Sequence, residues 1–245
     1  MDQHLKLGLI GKNISYSFSK NYFENKFKKL FLKKNTYDIF DLQDIAEVEQ
    51  IFNDPNINGL NVTIPFKEKI IPYLDELSDE AEKIGAVNTI LIKDNIKKGF
   101  NTDAFGFEKT LLLHKKNHHQ SALILGNGGA AKAVKYILEK HGISFQTVTR
   151  SGDLNFENLT EDIVRKNPLI VQCTPVGTFP NVDNCLHFPF SGLTSKHLVI
   201  DLIYNPEYTL FLKRAAENEA KTANGFYMLE QQAEKAWEIW NVQKK

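Results

Sequence analysis

An apolar run at 121–125 opens directly onto Gly126-Asn-Gly-Gly-Ala130, and this junction constrains the fold more than any other stretch of the chain. Residues 131–141 space their apolar side chains as a helix does and stop at Gly142, and 145–149 forms the next apolar run. Strand, glycine turn, helix and strand in that order require parallel pairing with the helix as crossover, hence an α/β unit built on a parallel sheet. Further strands are expected at 169–173 and 198–202, with helices at 208–218 and 228–240. The glycines let the backbone turn tightly and approach a pyrophosphate seated on the free N–H groups of a helix start. Their spacing departs from the six-position dinucleotide fingerprint, so a plain tight turn is the alternative reading.

The run at 145–149 ends in Thr149-Arg150-Ser151, where an acidic residue would bind a free ribose 2′-hydroxyl. A guanidinium there forms paired hydrogen bonds to a 2′-phosphate, which favours NADP over NAD. The competing reading is a solvated surface charge.

The first half also alternates strands and helices. Strands are expected at 5–10, 37–40, 60–64 and 87–92, helices at 20–32, 45–52, 70–77 and 79–84, and turns at Asn58-Gly59 and Asp94-Asn95. A helix at 103–113 then leads into a polar connector at 114–120, taken as the junction between two domains. At 245 residues the chain is comfortable as two domains, each with its own core.

Three polar clusters each end a short apolar run: Asn61-Val-Thr-Ile-Pro-Phe-Lys67, Ala86-Val-Asn-Thr89 and Asn101-Thr-Asp103. Strand ends that gather amide, hydroxyl, ammonium and carboxylate groups suit a small, polyhydroxylated, acidic ligand. Lys67 and Asp103 are the candidates for proton transfer, since ketone reduction needs a proton at oxygen. A surface ion pair is the plain alternative. Ser17, Ser19, Thr63 and Asn88 add neutral donors and acceptors, which also suit caps and turns.

Lys plus Arg and Asp plus Glu both count 30, so the balanced charge argues against a nucleic-acid partner. No apolar run approaches the roughly 20 residues of a membrane span, no signal-peptide pattern opens the chain, and Cys173 and Cys185 lack metal-type spacing. A reducing cytoplasm is expected. His114, His118 and His119 read as a solvated linker rather than a metal site, and Phe23, Phe27 and Phe31 as core. Trp237 and Trp240 are expected to seal the last helix onto the first domain.

Taken together, these segments resemble the shikimate dehydrogenase family. Ser17-Phe-Ser19, the lysine segment 61–67, segments 86–89 and 101–103, the glycine loop, 149–151, Cys173-Thr-Pro-Val-Gly177, Asp201-Leu-Ile-Tyr204 and 225–232 follow the family's order over nearly the whole chain. The resemblance implies an α/β protein of two domains. An N-terminal α/β substrate-binding domain (1–103, completed by a C-terminal helix at 226–245) would precede a Rossmann-like NADP-binding domain with a parallel sheet (104–225), the active site lying in the interdomain cleft. It implies NADPH-dependent reduction of 3-dehydroshikimate to shikimate, with Lys67 and Asp103 as the catalytic pair. Ser17 and Ser19 would hold the substrate carboxylate, and Thr63, Asn88, Asp103 and Gln232 its hydroxyls, with Tyr204 nearby. Gly126, Asn127, Gly128, Gly129 and Ala130 would cradle the pyrophosphate; Thr149, Arg150 and Ser151 would meet the adenosine phosphate, and Leu202 and Gly225 would lie by the nicotinamide. The expected partner is this small substrate, in a monomer or homodimer. Lys20, Thr149, Gln172 and Leu154 depart from the family pattern, and Leu154 replaces a second arginine, leaving one guanidinium for the phosphate. A quinate-acting, NAD-using relative and a non-catalytic ligand-binding relative are the alternatives. A compact cofactor domain is expected from the short sequence between Arg150 and 169.

Overall fold

The computed structural model describes residues 4–14 and 17–241. Residues 1–3, Ser15 and Tyr16 of the hydroxyl-rich loop, and the 242–245 end of the expected last helix lie outside the described residues. The chain divides into two compact units, Met1–Thr102 with Ala233–Lys245, and Asp103–Gln232.

In the first unit, β1 (Lys6–Gly11), β2 (Thr36–Asp41), β3 (Ile57–Val62), β4 (Glu76–Leu77), β5 (Thr89–Lys93) and β6 (Ile96–Phe100) form one mixed sheet in the order β2-β1-β3-β5-β6-β4. β1 pairs parallel with β2 and β3, and β5 runs antiparallel to β3 and β6. Its helices are α1 (Phe18–Lys29), α2 (Val48–Phe52) and α3 (Asp79–Ile84). Strand alternation sends successive side chains to opposite faces. Leu7 and Leu9 of β1 therefore join Phe23, Phe27, Tyr37 and Trp240 on one face, and Ile10 joins Leu60, Val62, Phe66 and Ile90 on the other.

Three local expectations fail in this unit. Asn58-Gly59 is strand, not turn: Asn58 Oδ1 accepts from Lys6 N–H at 2.9 Å, and Gly59 has no side chain because Trp240 lies where its Cβ would be, with Nε1 2.2 Å away. The stretch 70–77 is a single 3₁₀ turn, Ile71–Tyr73, after which Leu74 is extended and β4 begins. Phe31 is 84% exposed with φ 57°, because α1 ends at Lys29 and the chain reverses. Phe23 and Phe27 are core as expected.

The second unit carries β7 (Ser121–Leu125), β8 (Ser144–Val148), β9 (Leu169–Gln172), β10 (Leu198–Asp201) and β11 (Lys221–Ala223), all parallel, in the order β11-β10-β9-β7-β8. Its helices are α4 (Thr102–His114), α5 (Gly129–Lys140), α6 (Glu161–Lys166) and α7 (Leu210–Glu217); α8 (Phe226–Asn241) begins here and ends in the first unit. The order reverses direction between β7 and β9, which makes the C-terminal end of β7 the switch point where doubly wound sheets receive ligands. Only the six-residue α6 and short turns separate Arg150 from β9. Leu123, Leu125, Ile170, Val199 and Phe211 form its core on one face of the sheet.

Candidate active site

The lysine segment leaves β3 with its amides already engaged. Thr63 N–H donates to Ile10 O at 2.9 Å, Phe66 N–H returns to Thr63 O, and Ile64–Pro65 is cis. This turn leaves Phe66 in the core and Lys67 half-buried, its carbonyl accepting from Val87 N–H at 2.7 Å.

Behind it runs a buried polar chain that sequence reasoning assigned only in part. The Ser19 hydroxyl bonds the Tyr37 phenol, whose own O–H donates to Asn61 Oδ1 at 2.7 Å. Burial pushes the Tyr37 hydroxyl well above the usual phenol range and keeps it a donor. Asn61 Nδ2 donates to Asn88 O and to Thr89 Oγ1, and Thr89 donates to Asn88 Oδ1. Asn88 then holds Thr102, accepting its N–H at 2.6 Å and donating from Nδ2 to its hydroxyl at 2.9 Å. Thr102 is the first residue of α4, so Asn88 serves that helix start as a cap would, and Asp103 follows it in the first turn. Asn101 Nδ2 donates to Ala86 O at 2.8 Å, tying two of the signature segments together. Ser17 caps α1, accepting Ser19 N–H at 3.2 Å. Asn61, Tyr37 and Thr102 were missed as members of this network; their short apolar flanks signal only burial.

In the second unit Gly126 adopts φ 110° at the end of β7, a backbone that L side chains rarely take, and a Cβ there would press on Thr174 at 3.0 Å. Gly128 caps α5 with open space around it, no side chain caps the helix, and its first turn holds no acidic residue. Exposed first-turn N–H groups and the positive helix end thus face an unobstructed approach, which fits a pyrophosphate. Thr149 is fixed by its N–H to Leu154 O at 3.2 Å, and Arg150 and Ser151 are exposed at the end of β8. Leu154 packs against the core, which explains why no second cation is displayed there. Leu202 and Gly225 meet: a Cβ on Gly225 would lie 2.0 Å from Leu202 O, and Gly225 N–H donates to Ile203 O at 2.9 Å. Tyr204 follows, half-buried. On α4, Gly106 lies one turn after Asp103 and allows close passage of α8, where its Cβ would strike Met228 O at 2.5 Å and Gln232 at 3.2 Å.

Asp201 closes β10 with no exposed surface. Its carboxylate accepts from Ile203 N–H at 3.0 Å and from the Thr209 hydroxyl at 2.6 Å, and burial pushes its pKa up to about 6. Thr209 in turn caps α7. Burial also pushes the Cys173 thiol up, so it is held as the inert thiol. Arg214 lies beside Cys185, a neighbour the sequence did not reveal, yet burial dominates and that thiol is raised as well. His119 departs from the expected solvated linker. It is buried, takes Lys116 N–H at Nδ1 (2.9 Å) and reaches Lys196 O from Nε2 (3.1 Å). Among the described residues no cluster of three His, Cys, Asp or Glu side chains could hold a metal, and no helix is long and apolar enough to cross a membrane.

A parallel sheet with a glycine loop at its switch point, in a chain whose other unit is a mixed sheet that ends strands in polar clusters, defines an α/β protein of the dinucleotide-binding type. A sequence model of the shikimate dehydrogenase substrate-binding domain matches residues 9–90. A shikimate dehydrogenase (NADP(+)) of Clostridium beijerinckii is 38% identical over 95% of this chain and 90% of its own length. Among solved structures, shikimate 5-dehydrogenase of Thermus thermophilus in complex with NADP(H) and shikimate has TM-score 0.86 at 28% identity, covering 97% of this chain and 93% of that one. Quinate dehydrogenase of Corynebacterium glutamicum in complex with NAD has TM-score 0.86 at 27% identity, covering 97% and 94%. The chain belongs to the shikimate dehydrogenase family.

Proposed function

We propose that this chain is an oxidoreductase catalysing the reversible, NADPH-dependent reduction of 3-dehydroshikimate to shikimate, a step of aromatic amino-acid (chorismate) biosynthesis, in the cytoplasm. The observation that carries the reading is the intact series of signature segments from Ser17 to Asp103 in a chain 38% identical to a shikimate dehydrogenase (NADP(+)). The bound dinucleotide would supply the hydride. Lys67 is assigned to deliver the proton to the reacting oxygen and Asp103 to accept a bond from the neighbouring hydroxyl and balance the ammonium charge. Ser17 and Ser19 take the substrate carboxylate; Thr63, Asn88 and Gln232 take ring hydroxyls, with Tyr204 alongside. The loop 126–130 takes the pyrophosphate, 149–151 the adenosine phosphate, and Leu202 with Gly225 flank the nicotinamide. We assign the chain to a monomer or homodimer.

A second reading, quinate with NAD, is favoured by one observation: Leu154 is partly buried and packs against the core, leaving Arg150 as the guanidinium at the end of β8. Both readings are tested by following reduced cofactor at each pairing of shikimate or quinate with NADP or NAD. The shikimate and NADP pair is expected to give the highest kcat/KM, and Lys67→Ala is expected to lose kcat by about a hundredfold or more with a modest change in KM. A higher kcat/KM with quinate and NAD, or an unchanged kcat in the variant, would overturn the assignment.

A further inference from the structure

Lys135 lies in the second turn of α5, yet its ammonium runs back to the helix start and donates to Asn127 Oδ1 at 2.6 Å. Helical side chains lean towards the N-terminus, so the reach is geometrically natural. Electrostatically it is not, because a cation there meets the positive end of the helix dipole. Neither a side-chain cap nor a first-turn carboxylate offsets that charge. The ammonium also lies close enough to Cys173, just beyond β9, for its charge to act on that thiol. Its bond to Asn127 holds it at the loop that leaves β7, at the switch point of the sheet.

We propose that Lys135, presented by Asn127, is a further cofactor-binding residue whose ammonium contacts the diphosphate received by the glycine loop. The inference rests on reading that loop as a dinucleotide cradle. A diphosphate carries the negative charge that both the helix start and the ammonium lack. It is the diphosphate and not the 2′-phosphate that the position favours, because Arg150 lies at the end of β8, on the other side of β7 from β9. Asn127 fixes a long, flexible side chain in place before the ligand arrives, so less ordering is required on binding.

The test is direct binding to the full chain, with dissociation constants for NADPH and NADH from nucleotide fluorescence and melting temperatures alongside. Lys135→Met is expected to weaken both dinucleotides by about tenfold, the scale of one charged hydrogen bond. Lys135→Arg should recover most of that loss, and Asn127→Ala, which keeps the charge but frees it, should cost about two- to threefold, the lost ordering of one side chain. Affinities of Lys135→Met within twofold of wild type would overturn the proposal, as would a loss confined to NADPH. So would equal losses in all three variants, which would make the contact merely structural. Wild-type protein that binds neither dinucleotide would overturn the reading of the loop itself, a result distinct from any of these.

Discussion

Asn88→Ala is the substitution whose cost can be worked most fully from the structure. The Asn88 amide has two consequences for its neighbours: Oδ1 accepts Thr102 N–H at 2.6 Å, and Nδ2 donates to the Thr102 hydroxyl at 2.9 Å, all within a buried region. After truncation the Thr102 N–H is left without that acceptor, 1% exposed, which costs about 1–3 kcal/mol. The Thr89 and Thr102 hydroxyls are 3.2 Å apart and can turn towards each other, so they add little. The space left by the amide adds roughly 1 kcal/mol, giving about 2–4 kcal/mol in total. Thr102→Val removes a hydroxyl but leaves the N–H bond, and is expected to cost about 1 kcal/mol. Both tryptophans, Trp237 and Trp240, belong to the same unit as Asn88. Their fluorescence in a urea titration thus follows the unfolding of that unit without assuming that the whole chain melts in one step. An Asn88→Ala cost below 1 kcal/mol, or equal to that of Thr102→Val, would refute the view that this amide anchors the start of α4.

Asp201→Asn tests the buried carboxylate by its pH dependence. A folded-state pKa raised from 3.8 to about 6 means that wild type loses stability as pH rises between those values. The variant should therefore gain on wild type across that window by on the order of 3 kcal/mol, read from hydrogen exchange of the Ile200 and Ile203 amides; a flat or opposite difference would contradict it. Gly225→Ala places a Cβ 2.0 Å from Leu202 O, a backbone atom that cannot step aside without moving the strand end. It should lower stability by at least about 1–3 kcal/mol and weaken dinucleotide binding, and a variant with unchanged melting temperature and affinity would show that the two segments are not so close.

Sequence reading reached the second unit's strands closely because a parallel, doubly covered strand is apolar throughout and bounded by turn residues. It missed α6 and β11, which are too short to show a period. In the first unit the errors have different causes. Asn58-Gly59 has turn-forming identities, but the edge of the Trp240 indole, far along the chain, decides the conformation, and that long-range contact has no local signal. Phe31 continues the helical spacing of Phe23 and Phe27, yet the chain reverses one residue earlier, and periodicity alone does not reveal where a helix stops. Lys67, Asp103 and the glycine loop were legible as candidates because their chemistry is carried by residue type. Lys135 and Asp201 were not, since a lysine on a helix and an aspartate at a strand end are ordinary until their partners are known.

The buried amides and hydroxyls of the signature segments form a frame, distinct from the candidate reacting groups Lys67 and Asp103, of which Asp103 is itself 6% exposed. Asn61, Asn88, Thr89, Asn101 and Thr102 are all buried and bonded to one another or to backbone carbonyls. A half-satisfied buried amide is costly, so removing one member should also destabilise the partners it leaves unbonded. Thr63 and Lys67 are only half-buried, at the end of the strand those amides align. Much of what reads in the sequence as a ligand-binding motif is therefore the frame that aims a few groups, and Asn88, expected to bind a hydroxyl, first of all fixes the residue before Asp103. Substitutions in the frame should accordingly lower stability and kcat together, whereas Lys67→Ala should spare stability, and that contrast distinguishes framing residues from reacting ones.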